Sequence, residues 1–144
     1  MILVTTSRKP STNTRIFARR LANVIPNSLY VNRGKQSVDE LAGLAVSKGL
    51  VKIAVIGDNK GNPGKIEFIK SHRDGWDWET PMAVKGVFST PNKKQFTEVS
   101  VKSKKLAELF ALENVSDAEL KAEVKDSVIE FHYNKECILR IKEE

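Results

Sequence analysis

No aspartate or glutamate occurs in the first 38 residues; the first acid in the chain is Asp39. Cysteine is nearly absent too, since Cys137 stands alone, and histidine occurs only at His72 and His132. One thiol cannot form an internal disulfide, which excludes a disulfide-stapled fold and fits a reducing, cytoplasmic setting. The two histidines and the cysteine lack the paired spacing of a zinc ligand set, so no metal site is expected. No apolar run approaches the ~20 residues that a membrane span requires. The apolar stretch after Met1 stops at Thr5, so no signal peptide is expected. Nucleophile–base pairs and paired carboxylates are missing as well, and neither catalysis nor a cofactor nor a small-molecule substrate is expected.

The 144 residues, 40% of them hydrophobic and without long biased tracts, have the length of one soluble globular domain. A chain of this size buries roughly 68–70% of its unfolded surface and needs no staples. The net charge of +6 is unevenly spread. Arg8, Lys9, Arg15, Arg19, Arg20, Arg33 and Lys35 lie in the acid-free first quarter, and beyond them 17 basic residues face 18 acidic ones. All of the excess is therefore in one place, as in a chain that meets a polyanion.

The pattern alternates helix and strand. Ile2–Thr5 reads as a short buried strand. A helix capped by Thr12 or Asn13 then runs to about Val24, with Phe17, Leu21 and Val24 on one face. Leu29–Asn32 resembles a second strand. Ser37 and Glu40 form a capping box that opens a helix closed by Gly49. A largely apolar strand follows at 52–56, a turn-rich loop at 57–64 and a strand at 65–70. Residues 72–81 read as a loop in which Trp76 and Trp78 cover a core edge. Met82–Ser89 is a strand, and a helix begins near Ser103 with Leu106, Leu109 and Phe110. A second capping box, Ser116 and Glu119, predicts a short helix bearing Leu120 and Val124. Two alternating strands end the chain, with Cys137 facing inward and His132 outward. The order helix, strand, turn, strand thus appears at 37–70 and again at 117–142. It predicts an α/β fold of two similar halves.

Two stretches invite a phosphate-binding reading. "GDNKGNPGK" at 57–65 has Asn59 where a phosphate loop needs its first glycine, and Ile66 after Lys65 where it needs Ser or Thr, so a tight turn is expected. "TTSRKPSTNTR" at 5–15 withstands the comparison better. Arg15 and Arg19 are one helical turn apart, and Arg8 and Lys9 stand just before the helix. Arginine offers bidentate phosphate contacts, and the neighbouring hydroxyls and first helix N–H groups are further donors.

"TTSRKPS" at 5–11, Arg15, Phe17, Leu21, "PN" at 26–27 and "NRG" at 32–34 resemble the opening of a Brix domain. The resemblance continues through Leu41, Gly49, the strand at 52–56, "GNPG" at 61–64 and His72, and covers the second half only in element order. Trp76 and Trp78 depart from the family's pattern. The resemblance implies one Brix domain over 1–144, with halves at about 1–80 and 81–144. It also implies a fold related to the anticodon-binding domain of class IIa aminoacyl-tRNA synthetases. Brix proteins are ribosome-biogenesis factors in pre-rRNA processing and subunit assembly, and without extensions this chain resembles the minimal archaeal form. The implied partners are ribosomal RNA or pre-rRNA, with ribosomal proteins or other assembly factors. The residues expected to bind RNA are Arg8, Lys9, Ser11, Arg15, Arg19, Arg20, Asn32, Arg33 and Lys35. The competing reading is a protein-docking module that recruits assembly factors without touching RNA.

Overall fold

A computed structural model describes residues 1–144. Ile2–Thr6 forms β1, buried at every residue. Its side chains alternate between two cores: Ile2 and Val4 join one hydrophobic cluster, and Leu3 joins the other. Helix α1 (Thr12–Val24) lays Phe17, Ala18 and Leu21 on the first face of the sheet, and α2 (Val38–Ser47) lays Leu41, Ala42 and Ala45 on the second. Between them run β2 (Leu29–Tyr30), β3 (Lys52–Asn59) and β4 (Asn62–His72). A strand covered on both sides has no polar face, which is why β1 and β3 read as continuous apolar runs.

β5 (Gly75–Trp78) pairs antiparallel with β4, and β6 (Met82–Ser89) leads into the second half. There β7 (Val99–Val101), α3 (Lys104–Leu109), β8 (Leu120–Lys125), β9 (Val128–Tyr133) and β10 (Glu136–Glu143) follow. All strands share one sheet in the order β2-β1-β3-β4-β6-β10-β9-β8-β7, with β5 beside β4. β1 pairs parallel with both β2 and β3, and β7 pairs parallel with β8; the other ladders are antiparallel. The halves repeat one path. A strand crosses through helix to a parallel strand, turns back as a hairpin, and sends a last strand to the middle, where β6 and β10 meet.

The second half is packed on one face only. Phe110, Phe131, Leu120, Ile129, Leu139 and Ile141 all belong to the larger core cluster, and the smaller cluster contains no residue beyond Trp76. Phe110 stands between Phe68 and Phe131 in edge-to-face contacts at 5.6 and 6.4 Å, tying the halves together.

The structure corrects several expectations. The helix predicted after Ser116 is strand β8, whose burial alternates along Leu120, Ala122 and their polar neighbours. The Ser116 hydroxyl caps nothing; instead Ser100 Oγ accepts from the Ala118 N–H at 2.9 Å. The repeat accordingly begins at β7 and not at 117. The cap of α1 is Ser11, not Thr12 or Asn13, and the second strand is only Leu29–Tyr30. Residues 72–78 are a hairpin and not a loop. Trp76 packs against the α2-side core and donates from Nε1 to Asp39 at 2.6 Å, whereas Trp78 is 52% exposed. Cys137 is not a core thiol. A bulge between Cys137 and Leu139 inserts Ile138, so Cys137 pairs with His132 on the outer face while Leu139 pairs with Phe131 inward. No helix is long and apolar enough to cross a membrane.

Candidate nucleic-acid interface

The chain leaves β1 toward α1 on one face of the sheet and leaves β2 toward α2 on the other. Such a reversal opens a crevice at the carboxyl ends of the parallel strands, the usual ligand position in open α/β sheets. Two loops border this crevice: residues 7–11 after β1, and 31–37 after β2.

The first loop is anchored from below. The Ser7 N–H donates to the Ile56 carbonyl at 2.9 Å. Asp58 then accepts from the Ser11 N–H at 2.8 Å and the Ser11 hydroxyl at 3.1 Å, and also from the Thr14 hydroxyl. Burial pulls the Asp58 carboxyl upward, but these hydrogen bonds from Thr14 and Ser11 outweigh it and hold the group below the usual carboxylate range. A register shift at Gly57/Asp58 sets this geometry, with Gly64 as the extra residue on β4. A side chain at Gly64 would bring a Cβ within 2.3 Å of the Asn59 Cβ, so this position of "GNPG" admits only glycine.

The second loop is built around Arg33, whose Nε donates to the Gln36 carbonyl at 2.7 Å and whose Nη1 donates to the Thr6 carbonyl at 3.2 Å. Gly34 has φ +52° with nothing near its Cβ position, so its conformation, not space, selects glycine. Arg8 Nη2 reaches across to the Lys35 carbonyl at 3.4 Å. On the α1 wall, Arg19 lies over the Tyr30 ring at 5.3 Å, and the Tyr30 hydroxyl donates to Asn32 at 3.2 Å.

The result is an open cleft of about 530 Å³ whose lining includes Arg8, Lys9, Arg15, Arg19, Arg33 and Lys35 and no acidic residue. None of these six cations makes a salt bridge; the ion pairs of the chain involve Lys52, Lys65, His72, Lys94, His132 and Arg140. Arg33 is held below the ordinary arginine range, first by burial and then by the Arg8 charge, with Glu67 opposing. Uncompensated, partly desolvated like charges beside one another are stabilised by an incoming anion.

Seven of the residues singled out in the sequence thus line one cleft: Arg8, Lys9, Arg15, Arg19, Asn32, Arg33 and Lys35. Arg20 lies on another side of α1 and donates to the Ser89 carbonyl at 3.0 Å. Ser11 sits beneath the cleft, its hydroxyl within hydrogen-bond reach of Asp58 at 3.1 Å and of the Gly61 carbonyl at 2.9 Å. Asp58 takes the position that an anion would occupy at the start of α1. Thr5, fully buried, donates to the Val31 carbonyl at 2.7 Å. Much of the hydroxyl content of 5–14 therefore holds the loop, while the arginines and lysines face outward. Thr6, one of the hydroxyls read as phosphate donors, is on the cleft wall; sequence reasoning missed Tyr30 beside it and Asp58 beneath it.

Fold and cleft define an α/β protein presenting unpaired cations at the carboxyl ends of its parallel strands. No family model matches the chain. Relatives from Pyrococcus horikoshii and Pyrococcus abyssi, each named probable Brix domain-containing ribosomal biogenesis protein, are 42% identical over 87 residues, 60% of this chain and 39% of theirs. The chain thus matches about two fifths of the length of these curated relatives. The crystal structure of a probable ribosomal biogenesis protein from Aeropyrum pernix K1 superposes with a TM-score of 0.75 at 27% identity, covering 99% of this chain and 96% of that one. That of Mil, an archaeal Imp4-like protein, gives 0.74 at 26%, covering 98% and 95%. The resemblance read from the first half holds. The chain is similar to Brix domain-containing proteins in sequence over more than half its length, and to archaeal ribosomal biogenesis structures in fold over nearly all of it.

Proposed function

We propose that this chain is a ribosome-biogenesis factor that binds ribosomal RNA or pre-rRNA in the cleft between residues 7–11 and 31–37. Its role is to hold RNA during rRNA processing and subunit assembly. The names of its relatives support the biological setting, and one observation carries the binding mode: six clustered cations without an ion-pair partner. In this reading Arg8, Arg15 and Arg33 take phosphates, with Lys9, Arg19 and Lys35 in support. Tyr30 and Asn32 reach toward sugar or base. Residues 1–144 work as one Brix domain with halves at about 1–80 and 81–144, each the counterpart of the other and of the anticodon-binding fold. The protein acts by binding, without catalysis, in the cytoplasm.

Photo-crosslinking of the full chain to ribosomal RNA fragments, followed by peptide mapping, tests this directly. Crosslinks are expected within 8–19 and 30–35. Crosslinks confined to the second half would displace the site. Absence of RNA crosslinks together with capture of an acidic ribosomal protein would favour the docking module.

A further inference from the structure

The outer face of the second-half sheet, which neither hydrophobic cluster reaches, carries a group of side chains unused by the cleft. Glu123 on β8 stands directly opposite Glu130 on β9, a like-charged cross-strand pair that is unfavourable on its own. His132 follows two residues after Glu130 on the same face, and the bulge at Ile138 turns Cys137 of β10 toward it as its direct partner. His132 Nε2 lies 3.2 Å from Glu123 Oε1 and 3.6 Å from Glu130 Oε1. That nitrogen is covered from solvent and makes no hydrogen bond. The donor atoms of Glu130, His132 and Cys137 all lie within 4.8 Å of one another. Arg140 Nε donates to the other oxygen of Glu130 at 2.7 Å, which fixes the carboxylate with Oε1 on the His132 side.

Glu130, His132 and Cys137 thus bring three metal-ligating atoms together, and Glu123 adds a second carboxylate 3.2 Å from the imidazole nitrogen. We propose that Glu123, Glu130, His132 and Cys137 bind one zinc ion. Zinc takes cysteine sulfur at about 2.3 Å, imidazole nitrogen at about 2.0–2.1 Å and carboxylate oxygen at about 2.0–2.2 Å in a tetrahedron. Donors at those lengths sit roughly 3.3–3.6 Å apart. The nitrogen–oxygen separations already match, and side-chain rotation about the bulge brings the sulfur in. A thiolate with an imidazole selects zinc over magnesium or calcium. Cys137 binds as the thiolate and releases its proton to solvent, while Arg140 orients Glu130 from outside the ligand set. The ion would clip β8, β9 and β10 together on the face that has no hydrophobic cover.

Titration of the reduced full chain with Co²⁺ and with Zn²⁺ tests the site. One equivalent is expected, with a thiolate-to-Co²⁺ charge-transfer band that Cys137→Ser abolishes. His132→Gln should weaken binding by more than the ~10–100-fold typical of an outer-shell partner. Zn²⁺ should raise the melting temperature of the wild type and leave that of Cys137→Ser unchanged. Three results would overturn the proposal: no band and no binding at micromolar metal with folded protein; equal binding by wild type and Cys137→Ser; or a His132 imidazolium that persists in excess Zn²⁺, a proton then bridging the carboxylates.

Discussion

Asp58 shows how a residue without sequence prominence positions the cationic loop. It stands near the end of β3, yet its carboxylate takes the donors of Ser11 and Thr14, more than 40 positions away. Ser11→Ala should lower stability by about 1 kcal/mol, the usual effect of losing an N-cap, and urea unfolding measures it. Asp58→Asn should lower it by about 1–2 kcal/mol at neutral pH, through loss of charge-assisted hydrogen bonds. Because the folded protein holds this carboxyl below its ordinary range, its contribution is complete above that range and vanishes as pH falls through the folded value. The gap between wild type and Asp58→Asn should therefore be full at pH 7 and close in strong acid. A gap independent of pH would assign the effect to packing. Neither Asp58 nor Tyr30 was legible in the sequence, since nothing in local spacing reports which distant side chains the fold brings together. The basic residues were legible as a cluster, because an acid-free quarter gives them no local partners; that no distant acid pairs with the six in the cleft is seen only in the fold. Arg20 was misplaced among them because its helix face, and so its bond to Ser89, depends on where β6 lies.

At the scale of elements, the first half followed its periodicity closely and the second did not. Lys121, Ala122 and Glu123 favour helix, and Leu120 with Val124 fits helical spacing as well as alternation; the ladders to β7 and β9 decide for strand. The Asp74-Gly75 dipeptide was the overlooked signal for the β4–β5 hairpin. The bulge at Ile138 has no sequence mark, and one inserted residue suffices to move Cys137 from core to surface. Two element-level predictions follow from backbone and packing. Gly34→Ala should cost about 1–2 kcal/mol by forcing a β-carbon into the left-handed region, with no steric clash to add to it. Phe131→Ala should cost about 3–5 kcal/mol, because it empties a fully buried site against Phe110. Thermal unfolding of both variants ranks these effects, and a larger loss at Gly34 than at Phe131 would contradict them.

At the scale of the whole molecule, the two halves differ in how their sheet is covered and where their charge lies. The first is sheathed by helices on both faces and opens a cationic cleft at its strand ends. The second is covered on one face and carries mixed ion pairs such as Lys94–Glu119 and Arg140–Glu130. The repeated strand path explains why element order alone signalled two similar halves although one predicted helix was a strand. The central claim is that RNA phosphates fill the first-half cleft. The measurement that tests it most directly is the affinity of the full chain for ribosomal RNA fragments across a salt series, beside an Arg8→Gln/Arg15→Gln/Lys35→Gln variant whose three side chains carry little of the fold. The wild type should show a steep fall of log affinity with log salt, and each lost phosphate contact should reduce that slope by about 0.7–0.9. Equal slopes in wild type and variant would contradict the claim and move the RNA, or the function, away from the cleft.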